Sequence, residues 1–446
     1  MTTLSQETHR TTRINLVRST LSRQVSLRRK YLTFLLLLSG FAFIALTLSV
    51  HLFLRNVGEG FNAKDIVETQ QAALPHKSLA GQKLTDFAFS YKKALTDRLH
   101  PTILALGSSR VAQFRQSFFT VPFVNAGVAM TNVEEGNQFF NDVIAGNDQK
   151  PQLVILGIDI WWFNDRYHVN NSTPRELPLK QHGGQNILFF PQSLHLVYEG
   201  IRKGTISVEQ FMRGAFRILP DNYGIGVEGR FNMTGFGPDG SAYYIERVAG
   251  QSKGDLKFQD SLRKIQSGNP HTQFAHGASA SHTRVHQFVD LLFKFKAQSI
   301  KTILFFTPFP QTIQMALANK KEEYAYIPDL KYALIKSGIP FYDFSDATIL
   351  DSNDCEFFDG IHGGEIIYAR IIKTIYDSDP SIRDFVDIQY LQQIIKQYRG
   401  HTFIPDNTLT SLEEVDFLEL GCEKSKNSKK FQVAGRNRIR GSNDFQ

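Results

Sequence analysis

From Tyr31 to Leu54 the chain runs for 24 residues, YLTFLLLLSGFAFIALTLSVHLFL, without one Asp, Glu, Lys or Arg. A helix crossing a hydrocarbon core of ~30 Å needs roughly 20 such residues, so residues 31–54 predict a single membrane span. Arg28, Arg29 and Lys30 stand directly before it, with Arg10, Arg13, Arg18 and Arg23 upstream; Arg55, Glu59, Lys64, Asp65 and Glu68 behind it are mixed in sign. The bias of positive charge toward the cytoplasm then puts the N-terminus inside and the body on the extracytoplasmic (periplasmic or extracellular) face. The apolar region of a cleaved signal peptide is shorter, ~7–15 residues, and is followed by a small-residue cleavage site that is missing here. The expectation is an uncleaved single-pass signal-anchor preceded by a basic cytoplasmic segment, residues 1–30.

Charge elsewhere narrows the partners. The formal net charge is +7, but residues 1–30 carry +6 and residues 423–446 carry +5, which leaves −4 for everything between. A nucleic-acid-binding body needs a basic face or stripe, so no nucleic-acid partner is expected. With 42% hydrophobic and 21% charged residues the composition is that of an ordinary globular protein. Two cysteines, Cys355 and Cys422, are too few for a paired-Cys zinc site or a disulfide-dense scaffold; one bridge and two buried thiols both fit.

The body alternates short apolar runs with helical periodicity. Residues 55–100 read as a linker followed by a short amphipathic helix, in which Leu84, Phe87, Tyr91 and Leu95 recur at three- and four-residue steps over 77–99. Apolar runs then fall at 102–106, 121–127 and 152–160, with a helical stretch from Arg110 and another over 132–144. A stretch rich in Gly, Asn, Pro and aromatics, about 165–283, holds no sustained period. Beyond it come a helix over 284–298, a strand over 301–309, a helical run near LKYALIKSG, a strand over 340–344 and a helix over 363–377. Strands alternating with helices predict an α/β domain on a doubly wound parallel sheet over 101–400, with 165–283 as a large insertion. Residues 401–446 form a C-terminal extension whose polar, basic tail from Glu423 predicts disorder, solvated or docked on an anionic lipid or glycan surface.

Sites in parallel sheets gather where strands run out into loops. The first strand ends in Gly107-Ser108-Ser109-Arg110, which offers a hydroxyl at a helix start and is equally an ordinary N-cap. The second ends in Asn125-Ala126-Gly127, and the last is followed by Asp359-Gly360-Ile361-His362. A His beside a carboxylate is the base that a serine nucleophile requires, because a free hydroxyl is a poor nucleophile at neutral pH.

On these motifs the chain resembles the SGNH/GDSL hydrolases over roughly residues 101–165 and 284–377. The resemblance implies a flavodoxin-like sheet, Ser109 as nucleophile with Ser108 at the family's Asp position, the Gly127 N–H as oxyanion donor, and Asp359 with His362 completing a triad. It departs where the family has Gly-x-Asn: this chain has Gly157-Ile158-Asp159, and an ionised carboxylate has no proton for an oxyanion. Two arrangements can make up for it: the backbone N–H groups of Ser109 and Gly127 suffice, or Asn164, on the loop that follows, is the substitute donor. The Gly-Ser-Ser variant, the anchor, the insertion and the segment Gly237–Tyr244 resemble the membrane-anchored group typified by alginate O-acetylation and teichoic-acid D-alanylation proteins. That likeness implies a membrane-bound O-acyltransferase as partner and a cell-envelope carbohydrate polymer as substrate.

The expected function is thus serine-dependent acyl transfer or ester hydrolysis without a cofactor or metal, with Trp161, Trp162, Tyr167, Tyr243 and Tyr244 available to stack on sugar rings or to fill a core. The alternatives are a catalytically degenerate envelope scaffold or polysaccharide-binding protein, favoured by Asp159, and a metal-dependent hydrolase using Asp359, His362 and the histidines 271, 276, 282 and 286. Asn170-Asn171-Ser172 and Asn232-Met233-Thr234 match the N-glycosylation sequon.

Overall fold

The computed structural model describes residues 3–167, 190–220, 222–252, 254–406, 409 and 412–424, with backbone alone for 3–22, 190 and 191. In chain order the elements open with helices α1 (Thr3–Val57), α2 (Ala63–Ala73) and α3 (Ala88–Leu99). Strands β1 (Ile103–Gly107), β2 (Phe123–Gly127) and β3 (Leu153–Ile158) follow, with α4 (Val133–Phe139) between the last two. Next come α5 (Phe190–Arg202), α6 (Val208–Ala215), the short strands β4 (Thr234–Phe236) and β5 (Ala242–Tyr244), α7 (Ile245–Val248) and α8 (Gln259–Ser267). The chain continues through α9 (His282–Ala297), β6 (Lys301–Phe306), α10 (Gln311–Ala318), α11 (Tyr326–Lys336), β7 (Tyr342–Asp343), α12 (Glu365–Ser378) and α13 (Ile388–Gln397). Packing divides it into two units: Met1–Arg98 with Thr173–Tyr243, and Leu99–Ser172 with Tyr244–Gln446.

In the first unit α1 overruns the apolar segment at both ends, because residues 3–30 contain no Gly or Pro to stop a helix. It ends at Val57, before Gly58 with φ +87°, the left-handed conformation that closes helices. This is one helix long and apolar enough to cross a membrane. The side chains of α1 over 31–48 are mostly exposed, whereas Val50, Phe53, Leu54 and Val57 are buried against Val197 of α5, Ile206, Phe211 and Ala215 of α6, and Val227. Residues 63–73, read from sequence as linker, form α2, whose N-terminus Asn62 and Asp65 cap reciprocally. Conversely, 77–87 is not helical: Ala80 pairs its backbone with Phe236 and bridges to Ile225, so its polar groups are satisfied across the chain instead of along a helix.

The second unit is built on a parallel sheet of five strands in the order β2-β1-β3-β6-β7, one of the common doubly wound orders. Its register runs Ile103 against Phe123 and Leu153, and Leu153 against Lys301. Every residue of β1, β2 and β3 is buried, which is why these strands read as unbroken apolar runs with no alternation. The helix expected from Arg110 is reduced to two short 3₁₀ turns, at 109–111 and 116–118. The Asn125 side chain takes the carbonyls of Val111 and Phe114 at 3.0 Å each, so they do not serve a helical ladder, and Phe114 and Phe118 are both fully buried.

Cys355 and Cys422 form a disulfide that closes a 67-residue separation, resolving the choice left open by the sequence. A loop of that length corresponds to ~4 kcal/mol of chain entropy removed from the unfolded state. Reduction is therefore expected to lower the unfolding free energy of this unit by about 2–4 kcal/mol, measured by urea titration with and without reductant. Coincident midpoints would contradict it. The disorder expected from Glu423 does not begin there: the Lys424 side chain is buried and donates to Glu414 Oε1 at 2.6 Å and to the Gly400 and Cys355 carbonyls at 2.7 and 2.9 Å, beside the disulfide. Residues 425–446, and the sequon at Asn170, fall outside the described residues.

Candidate functional site

The C-terminal ends of β1 and β2 lie side by side, with Gly107 opposite Gly127. Gly107 has φ +152°, and a Cβ there would sit 2.6 Å from the Gly157 carbonyl oxygen, so the close approach of β1 and β3 needs glycine. The chain then turns sharply. Ser108, not Ser109, acts as the helix cap: its Oγ accepts from the Arg110 N–H at 3.2 Å. The Ser109 hydroxyl is left for other work, and its oxygen lies 2.8 Å from Nε2 of His362, a residue 253 positions further along the chain.

His362 is held by a loop tied to itself. Phe357 and Gly363 bridge, and the Phe358 N–H donates to the His362 carbonyl at 2.8 Å. Asp359 Oδ1 accepts from the N–H groups of Ile361 and His362, both at 2.9 Å, and the carboxylate faces His362 Nδ1 at 2.8–2.9 Å. An ionised carboxylate only accepts, so the neutral imidazole carries its proton on Nδ1 and presents a lone pair at Nε2 to Ser109. Burial pushes the Asp359 carboxyl up, but its attraction to the His362 ring in the protonated form, together with these hydrogen bonds, outweighs it and holds it below the usual carboxylate range. A depressed folded pKa contributes stability above the unfolded pKa, near 4, and loses it as pH falls through the folded value. Wild-type protein is thus expected to lose stability below about pH 4 more steeply than Asp359→Asn, compared by denaturant titration at pH 5, 4 and 3. Parallel profiles would contradict this.

Asp159, directly after β3, is fully buried. Its Oδ1 accepts from Arg110 Nη1 at 3.2 Å and Thr307 Oγ1 at 2.8 Å, while Oδ2 has no partner among the described residues. Arg110, just 1% exposed, also donates through Nε to the Ile361 carbonyl at 2.7 Å and through Nη2 to the Pro308 carbonyl, and its guanidinium lies 4.1 Å from the Phe309 ring centre. Arg110 thereby ties the Ser109 turn to the residue that precedes His362. Burial lowers its hold on the proton, and the Asp159 charge opposes that effect.

Of the expected oxyanion donors, Gly127 and Asn164 are engaged elsewhere. The Gly127 N–H donates to Asn125 Oδ1 at 2.7 Å, because that side chain turns back over its own strand end. Asn164 Nδ2 donates to the Ala275 carbonyl at 2.8 Å and its Oδ1 accepts from the Arg166 N–H, so it staples a loop. The Ser109 N–H, first in its 3₁₀ turn, has no acceptor among the described residues and is the amide free to meet an oxyanion.

The aromatics sort by burial. Trp161, Trp162 and Tyr243 are core residues, Trp161 with its ring 5.3 Å from the Arg110 guanidinium. Tyr167 and Tyr244 are half-buried, and Tyr244 packs edge-on against Phe358. The four histidines do not converge: His276 bonds the Ile265 carbonyl, His271 is exposed, and His282 and His286 lie on the exposed face of α9, the latter against Asp290. Among the described residues no three His, Cys, Asp or Glu side chains are grouped to hold a metal ion. Two arginines escaped the sequence reading. Arg110 directly follows Ser109, a position that invites notice; Arg247, which reaches Asp359 Oδ2 at 3.4 Å from a region without periodicity, gives no such signal. Comparison of the chain with known protein families, with curated proteins and with solved structures finds no match.

Proposed function

We propose that the chain is a membrane-anchored, SGNH-type serine acyltransferase or esterase acting on the extracytoplasmic side on a cell-envelope or exopolysaccharide ester. The reading is carried by one observation, the Ser109 Oγ to His362 Nε2 approach of 2.8 Å with Asp359 on the opposite ring nitrogen. His362 takes the Ser109 proton as Oγ attacks the acyl carbonyl, and Asp359 stabilises the imidazolium that results. Collapse of the tetrahedral intermediate expels an alcohol, which receives the proton from His362 and leaves the acyl group on Ser109. A carbohydrate hydroxyl, or water, then attacks that ester with His362 again as base. The disulfide and the apolar helix support the oxidising face of a membrane, and a membrane-bound O-acyltransferase is the donor-side partner that fits.

The Ser109 N–H is the oxyanion donor in this scheme. One lost donor costs ~10²–10³ in turnover, so intrinsic esterase activity is low until substrate or partner adds another. The engagement of Gly127, Asn164 and Asp159 also favours a second reading, a scaffold that keeps the fold and has lost turnover. Fluorophosphonate labelling of the full chain followed by peptide mapping separates them. An adduct on Ser109 supports the enzyme, and an unlabelled folded protein supports the scaffold.

A further inference from the structure

Counting 20 residues of helix, or ~30 Å, from Tyr31 at the basic end of the apolar run arrives at Val50. That is the first residue of the run to be fully packed by protein: Leu46 and Leu48 are exposed and Val50, Phe53 and Leu54 are buried. The helix is bare for as long as a bilayer core requires and is clothed from there on. It is clothed by α6 together with Val197 of α5, Ile206 and Val227, and α6 lies tight against α1; a Cβ on Gly214 would come 2.5 Å from Val57, and Asn56 Nδ2 donates to the Gly214 carbonyl at 3.0 Å. Phe53 to Val57 stand about 5–10 Å beyond Val50, the depth of a headgroup layer.

The outer face of α6 carries an apolar stripe beside Glu209. Phe211, Gly214 and Ala215 turn inward, while Val208 and Met212, four residues apart, and then Phe216 and Ile218 are exposed, the last two by 65% and 62%. Arg213 and Arg217 flank this stripe in the chain. Arg213 pairs with Glu209, and on α5 Arg202 and Lys203 pair with Glu199, while Arg217 is exposed with no ion pair among the described residues. An apolar stripe flanked by arginines is the pattern of a helix that lies in a membrane interface.

We propose that α6 and the turn that follows it, through Ile218, lie in the headgroup layer of an anionic membrane, the same one that α1 spans. The inference rests on reading α1 as a membrane span, and it assigns the occupant of the patch by continuity: lipid surrounds α1 up to Val50, and the patch begins at the next level. The side chains of Met212 and Phe216 contact acyl chains near the glycerol level, and the arginines contact lipid phosphates.

The test uses the full chain in vesicles of phosphatidylcholine and phosphatidylglycerol. The two native cysteines are paired, so Met212→Cys, Phe216→Cys and Leu37→Cys each supply one free thiol for an environment-sensitive fluorophore. Quenching by a nitroxide on the upper acyl chain of the lipid is compared with quenching by aqueous iodide. Labels at 212 and 216 are expected to lose about half of their emission or more to the lipid nitroxide and little to iodide, with the label at 37 protected from iodide. Labels at 212 and 216 open to iodide, with 37 protected, would overturn the interface and leave the span. Iodide access at all three would overturn both. Protection at 212 and 216 from both quenchers would mean that protein, such as a second copy of the chain, covers the patch, and would overturn the assignment to lipid.

Discussion

Replacing Ser109 with Ala, and separately His362 with Ala, is expected to abolish phosphonylation of the chain. A fluorophosphonate reports on hydroxyl activation and not on substrate preference, so it reads the 2.8 Å contact between Ser109 and His362 without knowledge of the acyl donor. Loss of the base removes about 10²–10⁴ in the rate of attack, enough to drop an adduct below detection in a short labelling time. The two variants should be equally silent, because serine and base act as a unit. Asp359→Asn should label slowly, since the imidazole keeps its place and loses the charge that stabilises its cation. Unchanged labelling in His362→Ala would exclude the triad, whatever the fate of Ser109→Ala.

The second large effect concerns stability. Arg110 and Asp159 are 1% and 0% exposed and face each other at 3.2 Å. Removing one partner of a buried pair leaves the other charge without compensation, at a cost of ~3–5 kcal/mol. Asp159→Ala is expected to lower the unfolding free energy by about that amount, measured by urea titration. The double variant Arg110→Met with Asp159→Leu should recover part of the loss, because two apolar groups of similar volume need no countercharge, while the Ile361 and Pro308 carbonyls and the Thr307 hydroxyl still lose their partners. A single variant within about 0.5 kcal/mol of wild type would show that the pair carries no such weight. Asp159→Asn is the more telling probe of the site. It restores the residue type of the family that the motifs resemble, yet it takes the countercharge from Arg110, which holds the Ile361 carbonyl.

The sheet was legible because its strands are buried on both faces and therefore written as plain apolar runs. The runs TILAL, VPFVNAG and QLVILGIDI mark β1, β2 and β3 to within two residues at each end, and the long periodic stretches became α9 and α12. What could not be read is short or is satisfied from far away. The eight residues of α6 give barely two turns of period, and its partner is a helix more than 150 residues earlier. The turns after Ser109 are shaped by Asn125 and Tyr368, neither of them local. The Ser, His and Asp of the candidate site could be named because motif spacing carries them. The candidate oxyanion donors, the N–H groups of Ser109 and Gly127 and the Asn164 amide, could be named too, but which of them is free could not, since that depends on where the side chains of Asn125 and Asn164 turn, and no spacing encodes that.

The unbroken passage of α1 from its bare stretch into the packed interior of the first unit has a mechanical meaning. A flexible linker after a membrane span lets the attached body tumble as if on a leash. Here no joint intervenes: the last two turns of the helix are themselves core, with Phe53 and Val57 buried among α5 and α6. The arrangement is a mast and not a leash. A tilt of ~20°, ordinary for a single span, would be inherited in full by the unit built around the mast. With α1 spanning a bilayer as proposed, the height of that unit above it would be set by the helix register, so inserting or deleting one residue between 31 and 49 would raise or lower it by about 1.5 Å and swing it through about 100°.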